Sequence, residues 1–534
     1  MGIYINPGNH AFSEINDSDY VDKTGLIDLV NQTIGRKNKL TCISRPRRFG
    51  KSYAAKMLTA YYDCSCDSGP LFDDKIIAQT KDYRTFLNRF NVICLDITSF
   101  TSAVKKKNGS LAEIPSMIEE SILKELPSIG FHVQEGDSLQ DSLLHYIDSP
   151  DGKPFIFIID EWDAVIREAK NDPAAQEAYL NLLRGWFKNT NFTPRAVAAA
   201  YITGILPIKK DGSQSAISDF DEYSMLRPLQ FSPYVGFTEK EVQSLCEKHN
   251  VSFDMMKHWY DGYSFKKTGS VYNPNSVMKA IQNEEFDSYW TETSAAEGLL
   301  SYISQSFNGL TRTIAELIGG VETALNPTGF ANDLTTFRGK DDVLTLMVHL
   351  GYLAYNSETK TVRIPNEEVR LEFQKAIRES DHEETRRRVS ESDQLFLDTV
   401  QGHEKAVAAQ IEKIHREETS PLHYNREDSL RSVIKLAYYT YRDHYVQFEE
   451  LPGGEGYADV VYLPKNGSAW PVLVIELKWN NTADGAISQI LHKNYPEPLK
   501  NYGNRILLIA ISYERDLKAG GRRHTCRIME YRKI

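Results

Sequence analysis

The sequence predicts an α/β protein: a parallel sheet with helices on both faces, a mostly helical middle, and a second α/β segment at its C-terminal end. Three observations carry that prediction. Runs apolar on both faces recur at Leu40–Ser44, Val92–Ile97, Phe155–Asp160, Ala196–Thr203 and Pro228–Phe231, the pattern of strands covered from two sides. Helical stretches separate them, at Lys51–Tyr62, Leu111–Leu126 and Ala174–Lys188. After a helical interval, strand patterns return at Tyr457–Leu463, Val472–Trp479 and Arg505–Ser512, with a helix around Ala486–His492.

A chain of 534 residues exceeds one core, and three domains are expected, at 1–235, 236–385 and 386–534. The first covers the parallel sheet. In the second, Gly351–Tyr355 and Val362–Ile364 read as two short strands between helices, a winged-helix-like unit within a helical lid. The charged stretch Ser380–Ser392 reads as a linker before the third.

The formal charge of −11 argues against a protein that coats nucleic acid, although a local basic groove is compatible with it. Cys42, Cys64, Cys66, Cys94, Cys246 and Cys526 show no paired CxxC spacing and read as free thiols. No apolar run nears the roughly 20 residues that cross a bilayer, and no cationic stretch with an apolar run opens the chain. No membrane partner and a cytoplasmic location are the expectation.

Chemistry enters where the first strand ends. Leu40–Ser44 is followed by Arg45-Pro46-Arg47-Arg48-Phe49-Gly50-Lys51-Ser52, and then by a helix with Ala54, Met57, Leu58 and Tyr61 on one face. Strand, loop ending Gly-Lys-Ser, helix is the context of a Walker A phosphate-binding loop. Gly50 lets backbone approach phosphate, Lys51 brings charge to the β/γ phosphates, and Ser52 offers a hydroxyl to Mg²⁺. The helix N-terminus adds unpaired N–H groups. Downstream, Phe155–Ile159 ends in Asp160-Glu161, the Walker B form, with Asp160 for Mg²⁺ and Glu161 to activate water. A third strand places Thr203 to sense the γ-phosphate.

The chain resembles AAA-like ATPases fused to a C-terminal nuclease-type domain. The matching stretches are Tyr20–Thr24, Arg45–Ser52, Ile159–Glu161, Trp259–Tyr263, Val271–Pro274, Tyr289–Trp290 and Ile364–Asn366. In that family the Arg-Pro-Arg-Arg-Phe-Gly-Lys-Ser loop replaces the glycine-first form, so Arg45 fits the resemblance. The aromatic stretches read as a core under the ATPase lid.

In Val472–Trp479, period two puts Val472, Val474, Glu476 and Lys478 on one face. Charges on an apolar strand cost several kcal/mol, in order of magnitude, unless paired or metal-bound. If the preceding strand pairs with it as a hairpin, Asp459 and Glu476 flank one divalent metal with Lys478 beside it. This region resembles the PD-(D/E)xK, restriction-endonuclease-like core. That resemblance implies Glu427 as a helical acidic residue and Gln489 on the helix after Lys478. It also matches Gly454 to Asp459, with Tyr457 where arginine is common. A structural Glu476–Lys478 ion pair accounts for the same two residues. ATP, Mg²⁺ and nucleic acid are the implied ligands. The function expected is an ATPase coupled to a metal-dependent nuclease-like domain. A signalling or scaffold ATPase whose C-terminal domain binds nucleic acid or protein without cutting is the alternative. An arginine finger from a neighbouring copy, with Arg195 as candidate, would imply a homo-oligomer.

Overall fold

The computed structural model describes residues 2–208, 217, 219–290, 307, 309–318, 320–330, 337–379, 383–418, 434, 437–438, 445–453, 456–464, 470–479, 481–493, 496, 499, 505–515 and 522–531. They separate into two compact units. Unit one is Met1–Ala296 with Thr323–Glu372, and unit two is Glu297–Glu322 with Phe373–Ile534.

Unit one is built on five parallel strands: β1 (Leu40–Ser44), β2 (Asn91–Asp96), β3 (Phe155–Asp160), β4 (Val197–Gly204) and β5 (Asp221–Tyr223). Their order is β2-β3-β4-β1-β5, so β1 lies between two strands that come much later in the chain. All five residues of β1 and all eight of β4 are buried, as a sheet covered on both faces demands. The helix Lys51–Tyr62 packs on β2, β3 and β4, and Pro173–Phe187 buries Trp186 and Phe187 against Phe157 of β3.

The fifth strand is not where the sequence pattern put it. Leu229–Phe231 is a single 3₁₀ turn, entered through Pro228 with Leu229 at φ +46°. Proline lacks the ladder donor, which disfavours a central strand there. The true β5 is short, begins at the exposed Asp221 and pairs only with β1, so it carries little apolar signal.

The same unit contains two small sheets. One joins β6 (Phe237–Thr238), β8 (Gly269–Tyr272) and β7 (Tyr263–Phe265). The other joins β10 (Ala354–Asn356), β11 (Thr361–Arg363) and β9 (Thr323–Ala324), all antiparallel. Helices Lys340–Leu350 and Glu367–Glu379 flank the β10–β11 hairpin in sequence, the helix–hairpin–helix order expected of a winged unit.

In unit two the sheet order is β12 (Tyr445–Gly453), β13 (Gly456–Pro464), β14 (Val472–Trp479), β15 (Ile506–Arg515), β16 (Arg522–Glu530). Only β14 and β15 are parallel. One face packs under Leu395, Val407 and Ile411 of helices Glu383–Gln401 and Glu404–Glu418; the other packs under Ala486, Ile487 and Ile490 of Ala483–His492. β12 and β16 were not expected. The linker reading of Ser380–Ser392 is corrected, since Glu383–Gln401 is one helix; dense charge suits a helix's wet face as well as a linker.

Candidate nucleotide and carboxylate sites

The loop Arg45–Ser52 leaves the C-terminal end of β1, and β3 and β4 deliver Asp160, Glu161 and Thr203 at the same end of the parallel sheet. Gly50 sits at φ +88° and opens the helix Lys51–Tyr62. Lys51 is buried, and its Nζ donates to the carbonyls of Arg45 (3.1 Å) and Pro46 (3.0 Å) while standing 3.3 Å from Glu161 Oε1. Glu161 Oε2 bonds Arg167. Burial works against the Glu161 charge, but Lys51 and Arg167 outweigh it and hold the carboxyl below its usual range. Asp160 accepts from the hydroxyls of Ser52 and Thr203. Burial raises its pKa against those bonds. A hydroxyl and a carboxylate side by side are hard oxygen donors of the kind Mg²⁺ takes.

Residues 7–213 match the family model described as predicted AAA-ATPase. Over these residues the chain is similar to AAA-like ATPases. The chain is 24% identical over 388 residues, 69% of each protein, to an uncharacterized protein in the vnfD 5′ region of Azotobacter chroococcum mcd 1. Among solved structures it is similar to the ORC2 protein of Aeropyrum pernix in its ADPNP-ADP complexes. That match covers 68% of this chain and 97% of that one, at 13% identity and a TM-score of 0.30. It is also similar to a Walker-type ATPase of Pyrococcus abyssi, over 66% and 94%, at 11% identity and a TM-score of 0.31.

Within the matched region, the loop arginines diverge. Arg45 turns away from the loop into the core, where Nη1 donates to the carbonyls of Ser44 (2.9 Å) and Tyr223 (3.0 Å) and the guanidinium lies over Phe265. It is wholly buried, which pulls its pKa down to about 10. Its side chain ties β1 to β5, directed away from the nucleotide site expected of it from sequence. Arg47 is exposed, and Arg48 Nη1 donates to the Tyr289 carbonyl (2.7 Å). Pro46 is buried against Gly351, and Phe49 meets Tyr263 edge-on at 5.4 Å. Tyr263 and Tyr289, from the aromatic stretches, thus pack against or bond the phosphate loop. Lys23, from the first matching stretch, pairs with Glu241 at 2.6 Å.

Arg195 sits before β4, at the sheet end opposite the loop, paired with Asp148. Asp163 is buried and accepts from the Ile205 (3.2 Å) and Leu206 (2.8 Å) amides. Sequence reading did not single out Arg167, although its i+4 spacing from Asp163 is a helix-pair signal.

In unit two, β13 and β14 are antiparallel, with Val460 opposite Ile475, so Asp459 falls opposite Glu476 one step on. Asp459 Oδ2 accepts from the Leu477 amide (2.8 Å). Glu476 is buried; its Oε1 accepts from Lys478 Nζ and Gln489 Nε2, both at 2.8 Å. Its Oε2 is buried with no hydrogen-bond partner among the described residues. Burial raises the Glu476 pKa, opposed by Lys478. An orphaned carboxylate oxygen beside a second carboxylate fits a divalent cation. Among the described residues no cluster of three or more His, Cys, Asp or Glu has metal-binding geometry. Glu427 and the Gly454-Glu455 pair lie outside the described residues. All six cysteines are free, and no helix among the described residues is long and apolar enough to cross a membrane.

Proposed function

We propose that this protein binds ATP with Mg²⁺ and hydrolyses it, and that its C-terminal segment is a PD-(D/E)xK nuclease-like domain acting on nucleic acid. The observation that carries the first part is the convergence of Lys51, Ser52, Asp160, Glu161 and Thr203 at one end of the sheet. Lys51 binds the β/γ phosphates, and the amides of Arg47–Ser52 line their path. Ser52 and Asp160 would hold Mg²⁺, which neutralises phosphate charge when bound. Glu161 accepts the proton of the attacking water, and Thr203 orients against the γ-phosphate.

The second part rests on Asp459 and Glu476 lying on the adjacent strands β13 and β14, with Asp459 Oδ2 bonded by the Leu477 amide. Asp459 and Glu476 would hold a divalent cation that supplies an activated water when bound. Gln489 orients Glu476, and Lys478 places positive charge beside the reacting phosphate. The division into 1–235, 236–385 and 386–534 belongs to the same proposal.

A domain that binds without cutting is favoured by one observation: Lys478 and Glu476 already neutralise each other at 2.8 Å. Incubating the pure chain with labelled DNA and RNA, with Mg²⁺ and with or without ATP, decides between them. Cleavage lost in Lys478→Ala supports the nuclease; binding with no cleavage under any condition supports the alternative. For the ATPase, Lys51→Ala should abolish ATP binding, and unchanged affinity in a folded variant would refute the loop assignment.

A further inference from the structure

Behind Glu161 runs a line of charge that the nucleotide site does not by itself require. Lys51 Nζ lies 3.3 Å from Glu161 Oε1, while Oε2 bonds Arg167 Nη2. Arg167 Nε donates to Asp163 Oδ2 at 3.0 Å, and that same oxygen accepts the Ile205 and Leu206 amides. These amides follow β4, which carries Thr203, and the Thr203 carbonyl accepts from the Trp162 amide at 2.8 Å. Glu161 itself sits at φ +52°, in the left-handed region, which non-glycine residues occupy at a cost. A backbone held there needs a side chain with fixed partners.

We propose that Arg167 is a positioning residue that shares Glu161 with Lys51, and that the nucleotide phosphates withdraw Lys51 from this pair. The proposal rests on the reading that Lys51 faces the phosphates. A carboxylate between two cations is a poor base, and Lys51 leaving it for phosphate is less costly when Arg167 keeps the Glu161 charge compensated. Without Arg167, Lys51 becomes the main counter-charge of a buried carboxylate and is harder to draw away. Because Asp163 anchors both Arg167 and the segment after Thr203, the aim of Glu161 is tied to the strand that reads the γ-phosphate.

The test is a double-mutant cycle in the full chain. It reads binding of a non-hydrolysable ATP analogue with Mg²⁺, so turnover is not needed. Residues in one ion-pair network couple non-additively, so Arg167→Met should weaken binding about fivefold or more with Glu161 present. In the Glu161→Gln background the same change should have little effect, and Arg167→Lys should recover part of the loss. A structural role alone lowers affinity equally in both backgrounds and overturns the proposal. If Arg167→Met does not fold, Arg167→Lys and Arg167→Gln serve the same cycle. Lys51→Ala separates the two levels. Lost binding there together with an additive cycle removes only the role of Arg167, whereas unchanged binding in Lys51→Ala removes the nucleotide-site reading as well.

Discussion

Gly351→Ala tests whether the phosphate loop is braced by the middle of the chain. Gly351 ends the helix Lys340–Leu350 at φ +87°, and a Cβ there would fall 2.8 Å from Pro46 Cβ and Cγ and 2.8 Å from Trp290 Cη2. Its carbonyl accepts from the Tyr263 hydroxyl. Left-handed backbone costs a non-glycine residue about 1–2 kcal/mol. Forcing a methyl into a packed core adds about 1–3 kcal/mol. Gly269 is the internal control: φ is +77°, but nothing lies within 4 Å of its Cβ position. Gly269→Ala should therefore cost only the backbone part, about 1–2 kcal/mol, and Gly351→Ala about 2–5 kcal/mol. Urea denaturation followed by tryptophan fluorescence reads both, with equal m-values required for the comparison. Because the Pro46 carbonyl holds Lys51 Nζ, Gly351→Ala should also weaken ATP binding while Gly269→Ala leaves it unchanged. Equal destabilisation and equal ATP affinity in the two variants would refute the bracing argument.

Glu161→Gln should keep ATP binding and lose turnover, since an amide preserves shape but cannot accept the proton; equal turnover would displace the base, and Asp163 is too enclosed to replace it. Asp459→Ala and Glu476→Gln should each remove divalent-cation binding measured by calorimetry without unfolding the chain, since relieving carboxylate repulsion stabilises the metal-free form; unfolding of both would make the pair structural. Glu368 is buried, and burial pushes its pKa up to about 8, so the folded protein keeps a proton that the unfolded chain has released. Its contribution is whole below about pH 4.3 and is lost as pH rises towards 8, so melting temperature should fall across that window. Glu368→Gln should flatten the decline, and parallel pH profiles would contradict the assignment.

Much of this could be read in the sequence because the signals were local. β1, β3 and β4 announce themselves as apolar runs; Asp160 and Thr203 follow from their position at strand ends, and Lys51 from the loop motif that opens the next helix. Asp459 and Glu476 emerge from period two plus a hairpin. What stayed hidden depends on pairing at long range. β5 carries Asp221 and Glu222, and only its ladder with β1 makes it a strand. The direction of Arg45 is set by the carbonyl of Tyr223, 178 residues away, which no loop motif encodes. Arg167 is one cation on the short, otherwise largely apolar helix Ala164–Glu168 until Asp163 and Glu161 are seen to converge on it. The aromatic stretches were visible as a pattern but had no derivable role until Tyr263 and Tyr289 met the loop.

The place of β1 has a bearing on synthesis. Leu40 pairs with Ala200 and Thr41 with Asp221, so the strand that carries the phosphate loop has no neighbours when it leaves the ribosome. Its brace at Gly351 comes later still, 305 residues after Pro46. At about 5–20 residues per second, that interval is on the order of 15–60 s, far longer than local collapse takes. Until β4 and β5 emerge β1 is without neighbours, and through the rest of the interval the arginine-rich loop lacks its Gly351 brace. ATP cannot assist before β3 and β4 arrive, so truncated nascent chains should gain nucleotide-dependent protease protection abruptly, not in proportion to length.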